Sequence, residues 1–116
     1  MQYKKRTVEV IETAEGNDRI VFLLDKMLHA MINDYLQYKQ GQEEYDNAKL
    51  WLFQVVDDPK DITIHIVCDV FALKREHLLT MVNWMKDKGK KRLLEFEFDR
   101  LLNACKDEKE LQFNEY

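Results

Sequence analysis

Serine is absent from the 116 residues, and glycine (three), proline (one) and cysteine (two) are scarce. Without serine there is no serine nucleophile. Gly16, Gly41 and Gly89 lie too far apart to form a phosphate-cradling loop. So few turn residues exclude a sandwich or barrel and favour helices joined by few connections. Cys68 and Cys105 form no CxxC pair and no disulfide framework. Cys68 sits inside an apolar run, as a buried free thiol does, and neither cysteine has an activating neighbourhood. No apolar stretch approaches the ~20 residues needed to span a bilayer. The basic start Met1–Arg6 is not followed by the apolar run of a signal peptide. A reducing cytoplasm is the expected location.

What is present is a balance of 46% apolar and 34% charged residues, that of a soluble globular chain. The length suits a single helical domain over residues 1–116 with one core. The formal net charge of −4 argues against indiscriminate nucleic-acid binding but permits a local basic patch.

Residues 1–16 are expected to form a peripheral arm. Thr7–Glu12 alternates like a half-buried strand, but no second strand is available to pair with it. Asn17 or Asp18 can cap a helix running to about Gln40, in which Ile20, Leu24, Met27, Leu28, Met31, Tyr35 and Tyr38 recur at three- and four-residue steps, with Gly41 as the stop. A second helix is expected from Glu43 to Val56, with Tyr45, Ala48, Trp51, Leu52 and Val55 on one face and Asp57-Asp58-Pro59 breaking it. Thr63 or Asp61 can cap a third. Ile62–Val67 also carries strand propensity, but Ile66, Val67, Val70 and Phe71 hold helical spacing and no hairpin turn follows.

The centre of the reading is Thr63–Lys88. Its spacing predicts two helices joined at Ala72-Leu73-Lys74, the second from Arg75 to Lys86 or Lys88, with Leu78, Met81, Val82 and Met85 inward. The shape is helix-turn-helix-like, with Val67, Phe71, Leu73, Leu78 and Met81 buried and Cys68 and Ala72 where the two helices approach. A last helix is expected from Lys90 to Cys105, with Leu94, Phe98, Leu101 and Leu102 inward, and a short strand at Leu94–Phe98 as the alternative. Residues 106–116 make a polar tail. The fold class is all-α: a compact bundle of about five helices with a helix-turn-helix-like centre.

The stretch Ala48–Leu78 resembles a group of small phage- and prophage-associated helical proteins. The resemblance rests on Ala48, Trp51, Leu52 and Phe53 as a tryptophan-bearing helix, Asp57-Asp58 as an acidic break and Ile62, Thr63 and Ile64 as an opening. Val67-Cys68 and Phe71-Ala72-Leu73 complete it. It departs from that group at Ala72, where glycine is usual, and at Leu79-Thr80, where arginines are common. It implies a helical fold and a place inside a bacterial host cell.

If Glu76–Met85 reads DNA, the outward residues near its start are Lys74, Arg75, His77 and Thr80, with Lys86, Lys88, Lys90, Lys91 and Arg92 placed to grip the backbone. Lysine and arginine suit guanine edges and phosphates. Leu79 and Val82 conflict with this, being apolar where such a helix is exposed. With Trp84 they define the rival reading, a protein contact face. Expected partners are double-stranded DNA, or a host or phage protein, or a second copy of the chain. His65 and Cys68 share a helix face but lack a second ligand pair for zinc. Asp57, Asp58 and Asp61 lack the glycine and distal glutamate of a calcium loop. No catalytic residue, metal or cofactor is expected. The chain reads as a non-enzymatic phage-derived accessory protein.

Overall fold

A computed structural model describes residues 18–54 and 62–106 of the chain. Among these residues five helices form an all-α bundle: α1 (Asp18–Gln37), α2 (Glu43–Phe53), α3 (Ile64–Phe71), α4 (Arg75–Asp87) and α5 (Glu95–Ala104). The strand alternatives at 62–67 and 94–98 are not adopted. One isolated bridge, Leu73 with Lys106, ties the α3–α4 turn to the end of α5. The arm at 1–16, the Asp57-Asp58-Pro59 break and the tail beyond 106 lie outside the described residues.

Helical spacing sets the core. Leu24, Leu28, Ile32, Tyr35 and Leu36 make the buried stripe of α1, and Leu78, Met81, Val82 and Met85 that of α4. They pack with Tyr45, Ala48 and Leu52 of α2, Ile64, Val67 and Cys68 of α3, and Phe98, Leu101 and Leu102 of α5. Thr63 caps α3 by accepting from the Ile66 amide at 3.5 Å. Ala72 ends α3 in the left-handed conformation, φ 55°, where the chain turns into α4. An alanine there has a Cβ that glycine lacks, so the turn carries a small strain.

Three boundaries differ from the sequence reading. Helix α2 stops at Phe53 rather than Val56, with Gln54 extended, where the Arg75 guanidinium of α4 takes the carbonyls of Leu52 and Gln54. Helix α1 stops at Gln37 rather than Gln40, and Gly41 adopts φ 95° inside the following turn. The reason is long-range: the Lys86 ammonium of α4 takes the carbonyls of Tyr35, at 2.7 Å, and Tyr38, at 3.4 Å. The last carbonyls of a helix have no partner within it, and a cation there also suits the helix dipole.

Helix α5 starts at Glu95, not at Lys90. Three adjacent cations at Lys90-Lys91-Arg92 are unfavourable at a helix N-terminus, where Glu95 and Glu97 are favourable. Asn33 of α1 holds the non-helical backbone before α5. Its Oδ1 accepts from the Leu93 amide at 2.8 Å and its Nδ2 donates to the Leu93 carbonyl at 3.3 Å. His29 donates from Nε2 to the same carbonyl at 2.7 Å, with its ring stacked 4.4 Å from Phe98. Glu97 reaches back to the Leu94 amide at 3.0 Å, half of a capping box, because Leu94 has no side-chain acceptor to return the bond. Leu94, expected inward, is half exposed, while its neighbour Leu93 is the buried anchor.

Candidate nucleic-acid interface at the basic junction

The cations predicted to grip DNA divide into two groups. Arg75, Lys86 and Lys90 are engaged within the fold. The Arg75 Nη2 donates to the carbonyls of Gln54, at 2.6 Å, and Leu52, at 3.2 Å, which closes the end of α2. His65 donates to that Gln54 carbonyl at 3.2 Å, so the zinc candidate is a backbone donor, and its mate Cys68 is buried. Lys86 closes the end of α1 and sits 5.0 Å and 4.9 Å over the rings of Tyr35 and Tyr45. Burial, together with the charge of Lys91, holds the Lys86 ammonium below the usual lysine pKa. Lys90 pairs with Glu97.

The second group faces solvent: Lys74 before α4, and Lys88, Lys91 and Arg92 around the α4–α5 junction. Of the other predicted contacts, His77 is half buried, and Thr80 is exposed with its hydroxyl donating back to the Glu76 carbonyl at 2.7 Å. The exposed positions of α4 are Glu76, Thr80 and Asp87, so two of the three are acidic. That stripe carries net negative charge.

The predicted apolar contact face is dispersed too. Val82 is 0% exposed, and Leu79 and Trp84 are half buried against the core. The conflict between Val82 and an exposed helix face is removed by placing Val82 inward. The large apolar residues that do face solvent are elsewhere, Phe22 at 57%, Leu94 at 50% and Phe96 at 60% among them. Phe22 lies under the Lys26 ammonium, 5.2 Å from the ring centre, and the same ammonium bridges to Glu95 at 3.3 Å. Asp25 lies on this side of α1, and its carboxyl is pushed above the usual range, first by burial and then by the Asp99 charge.

The junction forms a cleft of about 450 Å³ lined by Trp84, Met85, Lys88, Lys90, Leu93, Glu97 and Arg100. Buried Met85 and Leu93 make its floor. Trp84 forms one wall, with the Lys88 ammonium 5.9 Å from the ring centre. Three cations face one carboxylate, so the cleft favours an anion. The bond from Lys90, and then the Leu94 amide, hold the Glu97 carboxyl below its usual range. It is therefore ionised at neutral pH and neutralises Lys90. Gly89, with φ 85°, makes the turn that folds Lys90 back beside Trp84.

No family model matches the chain, and no curated protein or solved structure matches it. The cleft unites Lys88 and Lys90 from the predicted basic set with Trp84 from the rival apolar set. Arg100 and Glu97 were missed. Their i, i+3 spacing on α5 puts them on one face, but only the fold turns that face toward Trp84. Among the described residues no group of three metal-ligating side chains converges, and no helix is long and apolar enough to cross a membrane.

Proposed function

We propose that this chain is a non-enzymatic nucleic-acid-binding accessory protein that holds phosphates at the α4–α5 junction beside its helix-turn-helix-like pair. The observation that carries the reading is a cleft lined by Trp84 and by the cations Lys88, Lys90 and Arg100, with exposed Lys91 and Arg92 in the segment that follows Lys90. Phosphate contacts position a protein on nucleic acid, and aromatic faces beside them accept bases. The net charge of −4 does not oppose this, since the field near a cluster is set by its own cations. The resemblance to phage-associated proteins supports an accessory role in an infected or lysogenic bacterium.

The test is a titration at several salt concentrations with a fluorescent oligonucleotide. Binding weakens as salt rises, and the log–log slope reports the number of phosphates held. Lys88→Gln, Lys91→Gln and Arg92→Gln each lower that slope by about one. Lys74→Gln leaves it unchanged. A slope that falls only with Lys74→Gln would move the contact to the start of α4 and overturn the reading.

A second reading rests on the Phe22, Leu94 and Phe96 surface. Exposed aromatic rings around one ion pair suit contact with a protein, here a second copy of the chain. Light scattering decides it: a dimer that Phe96→Glu converts to monomer supports the contact, and a monomeric parent chain excludes it.

A further inference from the structure

We infer that two copies of the chain meet about a two-fold axis near Leu94, with Lys91 and Arg92 of each copy on Asp25 and Asp99 of the other. This rests on the second reading above and names the surface that the second copy presents. Four large apolar residues that face solvent gather here: Phe22 and Leu23 on α1, and Leu94 and Phe96 at the start of α5. Spacings of three and four put Phe22, Asp25 and Lys26 on one face of α1, and Glu95, Phe96 and Asp99 on one face of α5. The Lys26–Glu95 bridge at 3.3 Å joins the two faces.

Segment 91–96 runs along α1 toward its start, since Asn33 and His29 hold Leu93 while Lys26 holds Glu95. It passes from cations to carboxylates. At one end Lys91 and Arg92 are exposed, and neither has an ion-pair partner among the described residues. At the other end Lys26 bridges Glu95, which leaves Asp25 and Asp99 without an ion pair among the described residues. Burial and then the Asp99 charge hold the Asp25 carboxyl above its usual range, as expected where negative charge is in surplus. A two-fold contact must be self-complementary, each patch of one copy meeting its counterpart on the other. A surface with spare cations at one end and spare carboxylates at the other meets that condition when inverted on itself. The areas make the charges necessary. Phe22 and Phe96, more than half exposed, leave about 100 Å² each in water. With the two leucines that is about half of the ~800 Å² a stable contact takes from each partner, so the charged rim supplies the remainder. Lys91 and Arg92 cannot hold a phosphate and a carboxylate at once, so a nucleic-acid strand and the second copy exclude each other there.

The experiment is a charge swap on the full chain, followed by analytical ultracentrifugation over a concentration series at low salt. The parent chain is expected to dimerise, and less so as salt rises. Arg92→Glu alone and Asp99→Arg alone each set like charges together twice in a two-fold contact, and each should weaken self-association by about tenfold or more. Mixing the two variants restores opposite charges at both places, so the mixture should dimerise as the parent does. Both positions are exposed, and circular dichroism checks that each variant folds. Lys91→Glu repeats the first half of the swap at the neighbouring cation. Variants that dimerise like the parent while Phe96→Glu gives monomer overturn this arrangement and leave the second reading standing. A mixture that stays monomeric overturns the two-fold pairing in the same way. A monomeric parent chain overturns both.

Discussion

Replacing Lys86 by methionine keeps the aliphatic stem and removes the ammonium that closes α1. That ammonium donates to two carbonyls, Tyr35 at 2.7 Å and Tyr38 at 3.4 Å, and lies about 5 Å over two tyrosine rings. A hydrogen bond from a charged donor is worth roughly 1.5–3 kcal/mol, and a cation over a ring adds about 0.5–1 kcal/mol. The longer bond counts for little. Against these stands the partial burial that holds the Lys86 pKa down, a burial methionine tolerates better. The net expectation for Lys86→Met is a loss of about 2 kcal/mol. For a domain of this size that lowers Tm by roughly 8 °C. Urea unfolding followed by circular dichroism measures it, with the m value unchanged. Oligonucleotide affinity measured well below the transition stays at the parent value, because Lys86 faces Tyr35 and Tyr38 and not the cleft. A variant as stable as the parent, with affinity reduced, would refute the reasoning and return Lys86 to the binding surface.

Arg75→Ala removes two hydrogen bonds at the end of α2 and should cost about 2 kcal/mol in urea unfolding, with no change in the salt slope of binding. Ala72→Gly relieves the left-handed turn at φ 55° and should stabilise by about 0.5–1 kcal/mol, read as a rise in the urea midpoint. Asp25→Asn should raise Tm at neutral pH. The Asp25 pKa is raised on folding by burial and Asp99, so its ionised form weakens the native state above its folded pKa. That penalty disappears as pH falls through the carboxylate range, and the variant and parent should converge in acid. Glu97 behaves oppositely: its pKa is lowered by Lys90 and the Leu94 amide, so its contribution is present above the ordinary glutamate pKa and is lost as pH falls through its lower folded value. Glu97→Gln should therefore flatten the acid limb of a Tm-against-pH curve.

The helices were legible because their apolar residues recur at three and four. Leu24, Leu28, Ile32 and Tyr35, then Leu78, Met81, Val82 and Met85, define their faces before any tertiary contact is known. The Thr63 cap and the turn at Ala72 were legible for local reasons as well. The C-terminal end of α1 and the start of α5 were not, because Lys86 and Asn33 contact them from 48 to 60 residues away in sequence. The same distance hid the division among the cations. Arg75, Lys86, Lys88 and Lys91 look alike as letters. Only the fold shows which meet a helix end or a tyrosine ring and which meet water. Trp84 and Arg100 belong to different helices, and nothing local in either segment announces their cleft.

The most direct test is a map of backbone amide chemical shifts as a short single strand is added. The account predicts changes concentrated at Trp84, Lys88 to Arg92, Glu97 and Arg100, with the exposed Glu76 and Thr80 positions of α4 unmoved. Shifts centred on Lys74, Glu76, His77 and Thr80 would contradict it, since the second helix of the pair would then be the reader and the basic junction a bystander.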